Sequence, residues 1–114
     1  MQILNKTKNI IIADNVRVAD SFWSRLVGLM NKNTILSNEA LIITRCQSIH
    51  MFFMRFAIDA VFVDKNNTVV GLVRNIKPWQ LSPIFFKASY VVELLPGAIS
   101  KAKIEHGETI ALVS

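Results

Sequence analysis

The chain has 114 residues, of which 52% are hydrophobic, and it carries a formal net charge of +5. Such a chain is expected to form one domain whose core needs no disulfide or metal. No run of about 18 apolar residues is available to span a bilayer, and the first residues do not resemble a signal peptide, so we expect a cytoplasmic location. Cys46 is the only cysteine, which excludes an intrachain disulfide, and with two scattered histidines it makes a poor zinc site.

The basic residues are spread along the chain rather than grouped. Thirteen Lys and Arg face eight Asp and Glu, and such a surplus can favour polyanions such as nucleic acid. The chain has no basic run and no interleaved aromatic motif of an RNA-binding sheet. A solvated surface is therefore the preferred interpretation, and nucleic-acid binding remains an alternative.

The first part of the chain predicts strands followed by one helix. Residues 9–13 and 16–18 favour strand on either side of an Asp14-Asn15 turn, which predicts a hairpin or a bent strand. A helix is expected over 20–30, where apolar side chains recur at helical spacing. Asp20 and Ser21 are both good N-caps, and Asp20 is the one expected to cap this helix. Gly28, near the helix end, is expected to allow close packing or to mark the approaching stop.

Most of the remaining chain is strand-like. The clearest hairpin joins residues 58–63 to residues 68–76 through an Asp-Lys-Asn-Asn turn. Residues 77–86 contain two prolines and several aromatic residues, which favours a loop lying over the sheet. Further strands are expected at 39–44, 88–94 and 108–113, with a short helix or turn at 98–103. These elements predict a single α+β domain, with a mostly antiparallel curled β-sheet or small barrel and one or two short helices.

Two carboxylates stand in apolar surroundings. Asp59 lies within the strand-like run that follows His50, and Glu93 lies between valines and leucines. A carboxylate in such a place must be exposed, pair with a cation, or accept backbone hydrogen bonds. Arg55, four residues before Asp59, is the nearest candidate partner. We therefore expect Arg55, Asp59 and Glu93 to form a partly buried charged cluster beside the loop that carries Trp79.

Several short blocks of residues occur together in a characteristic order. They are Arg25-Leu-Val-Gly-Leu-Met30, Phe53-Met-Arg55 with Ile58-Asp59, Pro78-Trp79, Glu93-Leu-Leu-Pro-Gly97, and Gly107. Together they resemble the family called domain of unknown function 192, over nearly the whole chain from Ile11 onward. The resemblance implies a compact, mostly β fold with a small helical contribution, and it implies no established reaction. The chain has Phe53 where many relatives carry Trp, and a shorter link to Ile58.

The leading functional hypothesis is a small binding module for a small molecule or a protein segment. Its expected cleft has aromatic and methionine walls with a few charged groups. An acid–base or hydrolytic enzyme, with Asp59 or Glu93 acting beside His50, is the alternative. No P-loop, dinucleotide fingerprint, nucleophile elbow or metal-binding helix motif is present in the sequence, so no cofactor or metal is expected. The residues expected at the cleft are Met30, His50, Phe53, Met54, Arg55, Asp59, Trp79 and Glu93.

Overall fold

The computed structural model describes residues 1–114, apart from the side chain of Phe22, and places eight strands and two short helices in them. The strands form a three-stranded sheet of order β2-β1-β8 and a five-stranded sheet of order β3-β4-β7-β5-β6. In chain order the elements are β1 (Gln2–Asn5), β2 (Ile10–Ala13), β3 (Asn15–Ala19), α1 (Phe22–Val27), β4 (Glu39–Thr44), β5 (Ile58–Val63), β6 (Val69–Ile76), β7 (Tyr90–Leu94), α2 (Ala98–Lys101) and β8 (Ile110–Val113).

The predicted α+β class is confirmed. Strand pairs are antiparallel in both sheets except β3 with β4, which pair in parallel. Neither sheet closes on itself within the described strands, so of the two predicted arrangements the open sheet is formed and the small barrel is not. In the part of the chain that the structure describes, no helix is long and apolar enough to cross a membrane.

The three central strands of the five-stranded sheet, β4, β7 and β5, are buried on both faces of the sheet. Side chains along a strand alternate between the two faces. On the face that we call the inner face, Val61 packs with Ile3 of the three-stranded sheet and with Ile99 of α2. On the opposite face, which we call the loop face, Phe62 packs with residues of the long loops, including Met54. Strand β5 is consequently buried at every position.

The predicted hairpin of β5 and β6 is present. The two strands pair antiparallel, and the side chain of Asp64 organises the turn between them. Its Oδ1 atom accepts the backbone N–H groups of Asn66 at 2.8 Å and Thr68 at 2.9 Å. A short acidic side chain that accepts backbone bonds two residues further on is the usual device of such turns. The local sequence therefore carried enough information to predict this element.

The opening of the chain does not form the expected hairpin. Strand β2 pairs with β1 in the three-stranded sheet, whereas β3 pairs with β4 in the other sheet. The bend at Asp14 thus passes the chain between sheets, as in the bent-strand alternative. Strand β1 was not predicted, because its last residue is the polar Asn5. That side chain is fully buried, and it donates hydrogen bonds to the carbonyl of Ala102 and to Glu108, both at 3.1 Å.

The first helix begins later and ends earlier than predicted. Its N-cap is Ser21, whose Oγ accepts the backbone N–H of Ser24 at 3.1 Å, while Ser24 Oγ accepts the backbone N–H of Ser21 at 3.1 Å. The expectation that Asp20 caps the helix is wrong, since these reciprocal bonds fix the start one residue later. Gly28 ends the helix with a φ of 51°. A Cβ there would lie 3.7 Å from Ile43, so the backbone conformation, rather than close packing, favours glycine.

The Ser21→Ala substitution is expected to destabilise the protein by about 1 kcal/mol, because the backbone N–H of Ser24 loses its side-chain acceptor at the start of the helix. The Asp20→Ala substitution is the matched control and should change the free energy of unfolding by only a few tenths of that amount. Urea unfolding of both variants measures the difference. A larger loss for Asp20→Ala than for Ser21→Ala would show that the helix start is misplaced.

Gly71 marks the point where the aromatic loop of residues 77–89 crosses the sheet. A Cβ built on Gly71 would lie 2.4 Å from the ring of Phe85, and that ring packs against Phe62 with centroids 4.5 Å apart. The prediction that this proline-containing segment lies over the sheet is confirmed here. Glycine is required because its missing side chain lets the Phe85 ring approach the backbone of β6.

The Gly71→Ala substitution is expected to cost about 2 kcal/mol, since the Phe85 ring must leave its position against Phe62. The same substitution in a Phe85→Ala background should cost much less, because the obstructing ring has been removed. A double-mutant cycle from thermal or urea unfolding measures this coupling. Additive effects of the two substitutions would contradict the contact.

Candidate functional site

A small pocket opens on the loop face, between α1, the end of β4, β7 and the segment 46–54. It has a volume of about 80 Å³ and continues into a more open depression of about 210 Å³ that shares Arg25, Cys46 and His50 with it. We call the smaller cavity the Glu93 pocket. Its polar lining consists of Arg25, Cys46, Ser48, His50 and Glu93, and its apolar walls include Leu29, Met30, Ile43, Ile49 and Met54.

The register of the sheet aims Glu93 at this pocket. Glu93 of β7 lies opposite Leu41 of β4 and opposite Ala60 of β5. Residues directly opposite one another in antiparallel strands share a face, and both Leu41 and Ala60 belong to the core of the loop face. Glu93 is only 5% exposed. Its carboxyl group therefore lies at the bottom of the pocket, at the centre of the sheet.

The Glu93 carboxyl group has neither a hydrogen bond nor an ion pair within the described residues, where the ion pairs are those of Lys8. Among the described residues, every fully enclosed side-chain oxygen has a hydrogen-bond partner. Since the Glu93 oxygens have no such partner, they must be accessible from the pocket. Burial raises the pKa of Glu93 from 4.5 to about 7, because the ionised form loses its hydration. Near neutral pH the group is divided between its protonated and ionised forms.

Arg25 lines the pocket, but its guanidinium group donates its hydrogen bonds to backbone carbonyl groups. Its Nε donates to the carbonyl of Thr44 at 2.9 Å, and its Nη2 donates to the carbonyl of Arg45 at 2.8 Å. These bonds tie α1 to the end of β4 and set the width of the pocket at that wall. Arg25 is thus a structural part of the wall and does not neutralise Glu93.

Cys46 and His50 also line the pocket, and both are held by hydrogen bonds to the backbone. Neither is arranged as an activated nucleophile. The Cys46 thiol donates to the carbonyl of Ser48 at 3.0 Å, and burial raises its pKa, so the thiolate is disfavoured. His50 Nδ1 accepts the backbone N–H of Phe52 at 3.3 Å, which leaves Nε2 to carry the proton of the neutral ring. No three His, Cys, Asp or Glu side chains come together as metal ligands among those described.

A row of aromatic rings begins at His50 and runs away from the pocket. The His50 ring stacks on Phe52 with centroids 5.0 Å apart, Phe52 lies 5.9 Å from Trp79, and Trp79 meets Phe53 edge-on at 4.9 Å. We call these four residues the aromatic strip. Phe53 and Trp79 are 64% and 60% exposed, although both are large apolar side chains. The strip is therefore continuous with the rim of the pocket through His50.

The structure brings together some of the predicted site residues and separates others. Met30, His50, Met54 and Glu93 line the Glu93 pocket. Phe53 and Trp79 contact each other on the aromatic strip outside it. Arg55 is exposed, and its Nη1 donates to Asn33 at 2.7 Å.

Asp59 lies away from the pocket, on the inner face of the sheet. It stands opposite Leu94 in β7, the residue that follows Glu93. Because neighbouring residues of a strand point to opposite faces, the two carboxyl groups lie on opposite faces of the sheet. The predicted cluster of Arg55, Asp59 and Glu93 is therefore wrong. Arg55 is bound elsewhere, and the alternation of side chains along β5 and β7 separates the two acids.

The carboxyl group of Asp59 is a structural acceptor. It is 1% exposed. Its Oδ2 accepts the backbone N–H groups of Gly97 and Ile99, both at 3.0 Å, and its Oδ1 accepts that of Asn75 at 2.8 Å. These bonds fix the first turn of α2 and the irregular end of β6 to β5. The sequence left open whether a carboxylate here would be exposed, paired with a cation, or bound to backbone N–H groups. Asp59 takes the last of these options.

Three polar residues of the pocket, Arg25, Cys46 and Ser48, were not expected there. Arg25 belongs to the block that ends at Met30, so the block itself was a signal that this segment contributes to the site. Ser48 belongs to no motif. It reaches the pocket through the loop that follows β4, and local sequence carries no signal for that.

The fold and pocket define a small α+β domain in which one buried acid faces a cavity on the loop face. The family model DUF192, described as "Uncharacterized ACR", matches residues 3–112, and the chain belongs to this family. The resemblance seen in the sequence blocks is thereby confirmed. The UPF0127 protein of Pyrococcus horikoshii is 39% identical, with 95% of this chain and 96% of the relative covered. That of Thermococcus sibiricus is 37% identical, with 95% and 72% covered.

Two solved structures share the fold. A protein of unknown function from Novosphingobium aromaticivorans matches with a TM-score of 0.78 and 19% identity, over 85% of this chain and 74% of that one. A Sinorhizobium meliloti protein, provisionally described as a transcription regulator, matches with a TM-score of 0.80 and 19% identity, over 96% and 89% of the two chains. At this level of identity the likeness establishes the common architecture.

Proposed function

We propose that this protein is a binding module whose Glu93 pocket receives a positively charged or hydrogen-bond-donating nitrogen of its ligand. The observation that carries the proposal is the Glu93 carboxyl group, which is buried, unpartnered within the described residues and open to a cavity. A carboxylate in such a position destabilises the folded state. Perturbed acids of this kind concentrate at functional sites, where a ligand supplies the missing partner.

The walls of the pocket favour a small group on an apolar stem. An ionised carboxylate is an acceptor only, so its complement is an ammonium, a guanidinium or a neutral N–H group. Leu29, Met30 and Met54 surround it with apolar surface, which suits a methylene chain. A volume of about 80 Å³ admits the end of a side chain or a short alkylamine.

Binding fits the geometry better than the alternatives of catalysis and nucleic-acid recognition. Glu93 and His50 line one pocket, but the second acid expected for acid–base chemistry, Asp59, lies on the other face and is occupied by backbone N–H groups. A nucleic-acid phosphate placed in the pocket would face the carboxylate of Glu93, which repels it. We therefore propose no reaction for this site.

The test is a titration of the protein with n-butylammonium, followed by amide chemical shifts, with n-butanol as the neutral probe of similar length. Saturable shifts are expected at Met30, Met54 and Glu93 with the amine and much weaker ones with the alcohol. Since only the ionised carboxylate pairs with the amine, the apparent affinity should be roughly tenfold higher one pH unit above the pKa of Glu93 than one unit below it.

The Glu93→Gln variant should lose both the preference for the amine and the pH dependence. Glu105→Gln removes the same charge at an exposed position that pairs with Lys8, and it should bind as the parent does. Equal binding of amine and alcohol, or unchanged amine binding by Glu93→Gln, would refute the proposed function.

A further inference from the structure

We propose that the natural ligand is an extended protein segment that inserts a lysine side chain into the Glu93 pocket and lays apolar side chains on the aromatic strip. This inference rests on the proposed function, because it identifies the bearer of the positively charged nitrogen. It adds the aromatic strip to the site and assigns the strip a partner.

The strip and the pocket form one surface. His50 lines the pocket and also stacks on Phe52, from which the rings of Trp79 and Phe53 follow. A ligand that leaves the pocket past His50 therefore meets Phe52 next. Leu81, which pairs with His50 through an isolated bridge of backbone bonds, is also exposed beside this path. Contiguous exposed apolar groups of this kind mark interaction surfaces.

The backbone holds the two outer rings in place at an energetic cost. Phe53 and Trp79 have φ angles of 64° and 70°, in the left-handed region that bulky residues avoid. The carbonyl of the buried Met51 accepts the backbone N–H groups of Trp79 at 2.8 Å and Met54 at 3.2 Å, which fixes both loops to one another. Strain of this kind persists where the surroundings impose it, and it occurs at ligand clamps. Rings fixed in advance lose little entropy when a partner covers them.

A polypeptide matches the chemistry and the spacing of this surface. In an extended chain, residues i and i+2 point the same way and lie roughly 7 Å apart, so alternate side chains can lie across the row of rings formed by His50, Phe52 and Trp79, whose neighbouring centroids are 5.0 and 5.9 Å apart. Lysine combines an apolar stem with an ammonium group, as the Met30 and Met54 walls and the Glu93 carboxylate require. Single-stranded nucleic acid also stacks on aromatic rings, but it brings phosphates toward Glu93.

The experiment uses two libraries of blocked heptapeptides, one with lysine fixed at the centre and one with norleucine there, and with Leu, Phe, Tyr, Ser and Asn mixed elsewhere. Peptides captured by the immobilised protein are measured by mass spectrometry. The lysine library should be retained at least tenfold more than the norleucine library. Retained peptides should be enriched in apolar residues two and four positions from the lysine.

The strip is tested by the double variant Phe53→Asn with Trp79→Asn, since asparagine tolerates positive φ and both positions are exposed. This variant should retain at least tenfold less of the lysine library and still bind n-butylammonium as the parent does. Phe86→Asn removes an exposed ring that lines a different depression and should change neither result.

Four outcomes would overturn the inference. If n-butylammonium binds but the strip variant retains the lysine library as well as the parent does, the strip is not the docking surface and the proposed function stands. Equal capture of the lysine and norleucine libraries would assign the surface to another partner. Competition by oligothymidylate for the captured peptides would do the same, if that oligonucleotide also binds directly to the strip. Failure of n-butylammonium to bind would refute the proposed function itself.

Discussion

Replacing Glu93 by glutamine is expected to stabilise the protein by about 3 kcal/mol above neutral pH. The pKa of Glu93 rises from 4.5 to about 7 on folding, so the folded protein holds a proton that the unfolded chain releases between these values. Stability of the parent therefore falls as pH rises from about 4.5 to about 7, and it stays lower above that range. Glutamine imitates the neutral acid and avoids this loss. Below pH 4.5 the variant and the parent should be nearly equally stable.

Urea unfolding across this pH range gives the free energy of unfolding of the parent and of Glu93→Gln. The difference between the two values measures the effect, because the contributions of the other titrating groups cancel. Glu105→Gln, at an exposed position, is the control for removal of a negative charge and should give a nearly constant difference. A Glu93→Gln difference that does not grow with pH would mean that the carboxyl group is solvated or paired.

The largest destabilisation is expected for Asp59→Ala, at roughly 4 kcal/mol, because three backbone N–H groups lose a charged acceptor in a buried place. The donors belong to Asn75, Gly97 and Ile99, so the loss should loosen both the end of β6 and the first turn of α2. Chemical unfolding gives the free energy, and amide exchange at Ile99 should become faster.

Asp64→Ala provides the comparison for Asp59. Asp64 also accepts two backbone N–H groups, but it is only half-buried and lies in a surface turn, where water can replace the lost acceptor and the cost should be about 1 kcal/mol. The result also bears on the role of Asp59. A variant with nearly normal stability and altered ligand binding would return Asp59 to the functional site and contradict its structural role.

Elements governed by neighbouring residues were predictable from the sequence. The β5–β6 hairpin follows from alternating side chains and the acceptor at Asp64, and strand β4 appears at 39–44, as predicted. The helix start was missed by one residue because Asp20 and Ser21 are both good caps, and only the reciprocal bonds with Ser24 distinguish them. Strand β1 was missed because the partner groups that bury Asn5 lie at the other end of the chain.

The site was only partly predictable because it depends on register. The sequence identifies Asp59 and Glu93 as acids in apolar strands, but both satisfy the same description. Their pairing with Leu94 and with Ala60, respectively, sends one to the inner face and the other to the pocket. Arg55 is close to Asp59 along the chain and still finds its partner in Asn33, because the loop before β5 carries it away from the strand.

The central claim is that Glu93 is a buried, unpartnered acid whose partner is a cationic ligand. An NMR titration of its side-chain carboxyl carbon tests this claim most directly. The resonance is followed through pH without ligand and then with saturating n-butylammonium, with assignment from the Glu93→Gln variant. We predict a midpoint near 7 without ligand and a clear downward shift when the amine binds, because the cation stabilises the ionised form. A midpoint near 4.5 that the amine does not move would contradict the claim.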